Sequence, residues 1–303
     1  MPLNFPNNPT LGQTFNNNNI THTWNGTAWV SAFESSTLVP STAVTAMEGL
    51  GLQRVANQQL LVRSGFAITK TTANVRSITT LTTPITKNFG PWVVGDSQGM
   101  LDTGTFGNGT YHIFIISGPA LATDVLASIN PTNPTLPGSY NSFRRIGSVL
   151  VVAGSIVDFT QYGRYYEYKV VQQALVNYAV ATTPELIAMP VPTGVNMRIQ
   201  GVIAPGLPAY NSNQFSILVT SPAQVGNFLS GTNEAGNSGN ISGTAYAAYY
   251  ASGSLLFWYN TVHEISRVTN NLGQLRFVRQ GSSYNSANER TAFNVLGYED
   301  ITL

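Results

Sequence analysis

Cysteine is absent from all 303 residues, which removes disulfide frameworks, thiolate metal sites and cysteine nucleophiles together. Charge is scarce too, at 9% of residues, against about 25% in an average soluble domain. The 14 Lys and Arg nearly balance the 13 Asp and Glu, so the net charge of +1 leaves no electropositive footprint for phosphates or anionic lipid. Neither nucleic acid nor a membrane is expected as a partner. The three histidines, His22, His112 and His263, lie far apart without metal-ligand spacing, so no metal is expected. Nowhere do ~18 apolar residues run together. Met1-Pro2-Leu3-Asn4-Phe5-Pro6 lacks the basic start and apolar run of a signal peptide, so synthesis in the cytosol is expected.

What is present is apolar and neutral-polar. Hydrophobic residues make up 43%, enough to bury a core, while Asn, Thr, Ser and Gln supply the wetted surface. Helical periodicity is scarce, and β-branched and aromatic runs recur between Gly, Pro and Asn turns, which predicts an all-β chain. Val195-Asn196-Met197-Arg198-Ile199 alternates as a half-buried strand must. Gln214 to Val219, Leu275-Arg276-Phe277, and Tyr166, Tyr168 and Val170 between Glu167 and Lys169 repeat that period. The near-continuous runs Ile113–Ile116 and Val149–Val152 suit strands covered on both faces.

Composition divides the chain into residues 1–32, a linker over 33–50, a first β-sandwich over 51–190 and a C-terminal β-sandwich over 191–303. The fold expected is an N-terminal β-hairpin followed by one or two antiparallel, jelly-roll-like sandwiches. Asn25-Gly26 between alternating residues signals a two-residue hairpin turn. Such a turn pairs Trp24 with Thr27 and His22 with Trp29. A lone hairpin is marginal in water, so its aromatic face must pack on another surface. Pro131, Pro134 and Pro137 mark an extended loop, and residues 231–240 a polar, Gly-rich one.

Catalytic patterns are weak. Gly95-Asp96-Ser97 matches the start of a serine-esterase block, but no Asp-x-x-His follows it, so the tripeptide reads as a turn. His263 and Glu264 are adjacent and point to opposite faces of a strand. Glu299-Asp300 reads as a solvated end, and Asp96, Asp102, Asp124 and Asp158 as turn and strand-end residues. No catalytic residue and no cofactor are expected. Tyr246, Tyr249 and Tyr250, with Trp258 and Tyr259, form an aromatic group that could stack on sugars, and Tyr210 stands beside a polar turn. Core or interface packing is the commoner use of such rings.

Several segments carry a family resemblance. Phe5-Pro6-Asn7-Asn8-Pro9-Thr10-Leu11-Gly12-Gln13-Thr14, followed by Trp24-Asn25-Gly26-Thr27-Ala28-Trp29-Val30, resembles the N-terminal segment of tailed-bacteriophage fibre and virion proteins. Leu101-Asp102-Thr103-Gly104, Gly109 to Ile116, Pro134 to Tyr140 and Phe143 to Val149, in that order, are similar to a domain of phage tail and prophage structural proteins. Residues 190–303 share with the family only their β-richness and the ending Leu296-Gly297-Tyr298.

The resemblance implies a structural protein of the bacteriophage virion, and a homotrimeric tail fibre or appendage is the leading expectation. Phe5, Trp24 and Trp29 are then the virion-anchoring candidates, other virion proteins are partners, and Tyr246, Tyr249 and Tyr250 are candidates for contact with a host surface glycan. Arg144 and Arg145 look like the family's paired arginines and are expected to be structural, with at most one buried and paired. The alternative is a capsid head-fibre or decoration protein. A third reading, a polysaccharide-degrading fibre enzyme, needs two carboxyls ~5 to 9.5 Å apart in one cleft, and the sequence offers no such pair.

Overall fold

A computed structural model describes residues 6, 8–17, 20–24, 26–27, 29–31, 46–71, 73–119, 121–206, 215–223, 245–249, 263–280 and 290–303. Among these the chain is all-β. Its strands are β1 (Thr14–Asn17), β2 (Ile20–Trp24), β3 (Trp29–Ser31), β4 (Met47–Gly49), β5 (Leu52–Ala56), β6 (Gln59–Val62), β7 (Gly65–Thr71) and β8 (Arg76–Leu81). There follow β9 (Ile85–Pro91), β10 (Gln98–Leu101), β11 (Gly109–Ser117), β12 (Asp124–Ser128), β13 (Ser142–Val152), β14 (Ser155–Ile156), β15 (Phe159–Tyr162) and β16 (Tyr165–Tyr178). The last are β17 (Glu185–Ala188), β18 (Met197–Gly206), β19 (Phe215–Thr220), β20 (Ala245–Tyr249), β21 (His263–Val268), β22 (Gln274–Gln280) and β23 (Arg290–Asp300).

Four sheets result. β1-β2-β3 stand together at the N-terminus, and β4 to β14 build an 11-stranded sheet with β13, β11 and β12 at its centre. The third has the order β15-β16-β23-β18-β21 and the fourth β17-β22-β19-β20. The strands before residue 190 do not keep to themselves: β16 pairs with β23, and β17 pairs with β22. Pairing therefore crosses the boundary expected at 190/191. One continuous apolar core runs from Leu50 to Tyr298, and Phe277 of β22 meets Phe293 of β23 edge to face across the third and fourth sheets. This is a sandwich-like arrangement of mostly antiparallel sheets.

Local patterning explains the elements. Met197, Ile199 and Gly201 of β18 are buried while Arg198 and Gln200 are exposed, as alternation requires. Ile113 to Ile116 of β11 are buried on both faces: Ile113 and Ile115 join the main core, while Phe114 and Ile116 join a second cluster with Leu126, Tyr140 and Phe143. Ile217, Leu218 and Val219 are buried too, so β19 is covered on both sides rather than one.

Three expectations need correction. The hairpin register is not that of a two-residue turn: Trp24 opposes Trp29 and His22 opposes Ser31, with Gly26 at φ 96°. Val149 and Val151 are buried, but Leu150 is only half-buried and Val152 is exposed, so that end of β13 is covered on one face. Val170 does not share the buried face of Tyr166 and Tyr168 and is 69% exposed. The cause is a bulge, because β16 advances from Glu167 to Gln172 while its partner β23 moves only from Gly297 to Val295.

Candidate functional site

Two buried polar centres carry the chemistry of the described residues. The first lies where β9 and β10 pair in parallel, although parallel strands ordinarily need a crossover of a dozen or more residues. Here the return is made by residues 92–97, lying back along the sheet. Ser97 N–H donates to Thr86 O at 2.7 Å and Trp92 N–H to Leu101 O at 3.0 Å. That path turns the carbonyls of Val93 and Gly95 inward. Lys87 of β9 fills the space beneath: its ammonium donates to Val93 O at 2.8 Å and Gly95 O at 3.0 Å, and pairs with Asp124 of β12 at 3.1 Å.

Both side chains of that pair are sealed, at 0% and 1% exposure. Asp124 also accepts from the backbone N–H of Gly95 at 2.9 Å and of Val125 at 2.7 Å, and the Lys87 ammonium lies over the Trp92 ring. Desolvation pulls the Lys87 pKa down and Asp124 opposes it. Every donor of the ammonium meets an acceptor, which is what a charge out of water requires. Gly95-Asp96-Ser97 belongs to this return loop. The Asp96 carboxylate accepts from Thr86 N–H at 2.7 Å and Ser97 Oγ–H at 3.1 Å, and its pKa is drawn down, chiefly by the Thr86 hydrogen bond.

The second centre joins β11, β13 and the end of β23. His112 Nδ1 lies 2.9 Å from Ser148 Oγ, which also accepts from Arg145 at 3.2 Å and donates to Asp300 at 3.4 Å. Arg145 pairs with Asp300 at 3.2 Å and donates to the Thr302 hydroxyl, and Thr302 in turn bonds Asp300. Tyr298 O–H donates to Ser148 O at 2.7 Å, and its ring stacks on Tyr166 at 4.8 Å.

His112, Ser148 and Asp300 are residue types of a nucleophilic relay, but the order is wrong. A relay bonds the acid to the imidazole, whereas here the acid bonds the hydroxyl and an arginine. Their exposures of 1%, 0% and 0% also leave a substrate no approach. The centre is a clamp.

The clamp overturns the expectation of a solvated Glu299-Asp300 end. Asp300 is fully buried and paired, and Glu299 bonds Arg198 at 2.7 Å near the surface. Of the two arginines, Arg145 makes the buried pair with Asp300. Nothing in the local sequence pointed to Asp124 or Asp300, whose partners lie 37 and 155 residues away.

Of the candidate contact residues, Trp24 is half-buried; its backbone N–H donates to Gln13 O at 2.8 Å and its carbonyl accepts from Gly12 N–H at 2.9 Å. Phe5, Tyr250, Tyr210, Trp258, Tyr259, the 231–240 loop and most of the linker lie outside the described residues. So do the side chains of Trp29, Tyr246 and Tyr249, whose backbones fall in β3 and β20. Among the described residues no group of three or more His, Asp or Glu is placed to hold a metal ion, and no helix is long and apolar enough to cross a membrane.

No protein-family model matches the chain, and no curated protein is significantly similar to it. Solved structures give distant likenesses. One is a subviral particle of infectious bursal disease virus VP2, 8% identical with a TM-score of 0.23; the match covers 92% of this chain and 63% of that one. Another is a carbohydrate-binding module of the β-sandwich superfamily, 8% identical with a TM-score of 0.18, covering 84% and 96%. Both scores are too low to carry an argument about function.

Two outcomes follow from the centres. Lys87→Met and Asp124→Asn each leave an uncompensated buried group and are expected to cost ~3–5 kcal/mol. The double variant should cost less than their sum, with a coupling of ~1–3 kcal/mol. Denaturant unfolding of all four proteins checks this, and strict additivity would refute the pairing.

Burial, reinforced by the Arg145 charge, pushes the His112 pKa down to about 3 from an unfolded value of ~6.5. The unfolded chain therefore takes up this proton first, and stability present above ~6.5 is lost as the pH falls towards 3. Unfolding midpoints of wild type and His112→Asn should differ by a constant amount above pH 7, with the wild type losing extra stability between pH 6.5 and 4. Parallel profiles throughout that window would contradict it.

Proposed function

We propose that this chain is a structural component of a bacteriophage particle: a tail-fibre or appendage protein, assembled from several copies, that attaches by its N-terminal segment and displays β domains for host attachment. The observation that carries the reading is spatial. The separate stretches that resemble phage tail proteins form one contiguous unit. Gly109 to Ile116 and Phe143 to Val149 pair along β11 and β13 at the centre of the large sheet. Leu101 pairs with Ala127 of the neighbouring β12, and Asp102 accepts from Thr135 N–H at 2.9 Å, tying the Pro134–Tyr140 loop to that sheet. Tyr140 O–H donates to Ala122 O at 2.9 Å and its ring meets Trp92 edge to face. Segments that belong together in space are what a resembling domain, rather than scattered coincidences, would supply.

The β1-β2-β3 sheet, small and formed apart from the larger ones, suits an anchor, with Phe5, Trp24 and Trp29 as its candidate contacts to other virion proteins. Tyr246, Tyr249 and Tyr250 remain the candidates for a host glycan. A surface low in charge suits assembly by shape and hydrogen bonding, which varying salt disturbs little.

Immunogold labelling or cryo-electron microscopy of intact particles tests the assignment. Label confined to the tail or its vertex is the expected result. Label over the whole shell would replace it with a capsid decoration or head-fibre protein, and absence from purified particles would remove the virion reading altogether.

A further inference from the structure

A strand edge without charge or proline lies on the third sheet. β15 covers β16 only over Tyr165–Tyr168, after which Lys169 N–H makes one further bond to Asp158 O at 3.0 Å. From Val170 to Tyr178, β16 has β23 on one side and, among the described residues, no strand on the other. An edge of this kind presents free backbone donors and acceptors, and proteins that must not pair there place Lys, Pro or another charge on it. Val170-Val171-Gln172-Gln173-Ala174-Leu175-Val176-Asn177-Tyr178 holds neither charge nor proline. Several other edges are interrupted by charge, Arg54 on β5, Arg76 on β8, and Glu264 and Arg267 on β21, while the uncharged edges β15 and β20 are shorter, at 4 and 5 residues.

Two further observations mark the edge as a pairing site. Val170 and Val176 are 69% and 59% exposed, Val171 is open as well, and Leu186 of β17 is exposed too. The carbonyl of Val170 is also capped by the side-chain amide of Gln172 at 2.6 Å, a local substitute for the N–H that a neighbouring strand supplies. Register shifts against β23 bend the strand, two of them within Gln172–Tyr178, between Gln173 and Leu175 and between Leu175 and Tyr178. Gln172–Tyr178 spans at most about 23 Å at ~3.3 Å per residue. β17, the edge of the fourth sheet, is tied to its end: Glu185 accepts from Tyr178 O–H at 2.8 Å and Ala181 N–H at 3.0 Å, which engages its charge inside the turn.

We infer that this edge, Gln172–Tyr178 with its flanking valines and β17, is where a second copy of this chain docks by strand addition. The occupant follows from chemistry. A charged peptide finds no countercharge on the tract, whereas Gln172, Gln173 and Asn177 carry amides that donate and accept equally, so the edge complements itself. A net charge of +1 on the whole chain also lets copies approach without mutual repulsion. The inference rests on the reading that copies of this chain associate, and not on the particle to which they belong.

The test uses the purified full chain, with light-scattering mass and hydrogen exchange on wild type, Val170→Lys/Val176→Lys and, as a control on another edge, Ile78→Lys. All three sites are exposed, and unchanged circular dichroism verifies that the fold survives. The expected result is a wild-type mass of two or more times 32.5 kDa with slow exchange over 172–178, a fall to a single copy in the double variant with that protection lost, and no change in Ile78→Lys. A wild-type monomer overturns both the association and the edge, including the case in which 172–178 is protected by the chain's own residues. A multimer whose mass survives the double variant overturns the edge alone, as does dissociation by Ile78→Lys.

Discussion

The Arg145–Asp300 ion pair holds the end of the chain against the centre of the large sheet, and the rest of the architecture depends on that closure. Arg145 stands on β13, which β11 and β7 flank, while Asp300 ends β23, which β16 and β18 flank. The pair therefore ties the two largest sheets at a point where the carboxylate is sealed and the guanidinium is only 10% exposed. Its cost of desolvation is offset by bonds from Thr302 to the carboxylate and by the hydroxyl of Ser148 beneath it. Tyr166 and Tyr298 stack beside it, and Gly297 gives the close approach that this needs: a Cβ there would stand 2.3 Å from the Tyr166 carbonyl. The ending Leu296-Gly297-Tyr298 thus has a packing reason.

Lys87 and Asp124 do the same at a smaller scale, fixing the return loop over residues 92–97 from beneath. In a chain with so few charges, the two centres withdraw four of them from the surface. The exterior becomes still more neutral than the composition suggests. That is the physical basis for reading the protein as one that assembles through backbone edges and amide side chains instead of charge.

The fold class was legible because it is written in local patterns. Met197 and Ile199 alternate with Arg198 and Gln200 in one short stretch, and Ile113 to Ile116 announce burial on both faces without any help from distant residues. What escaped depends on partners far along the chain. Asp300 looks like a solvated terminus until Arg145 is brought to it, and Asp124 looks like a strand-end residue until Lys87 meets it. Val170 obeys the alternation of Tyr166 and Tyr168 on paper, but a bulge against β23 resets the phase, and a bulge leaves little trace in the sequence of one strand. Asn25-Gly26 pointed to a turn after Trp24, but the register in which β2 meets β3, with Trp24 opposite Trp29, was not legible there.

The central claim is that strands from both sides of residue 190 fold as one unit, closed by β23. Equilibrium unfolding of the full chain followed by circular dichroism, with hydrogen exchange read separately over 111–116 and 293–298, tests it directly. The account predicts a single transition in which β11 and β23 lose protection together. Two separated transitions, with 293–298 opening while 111–116 stays protected, would contradict it.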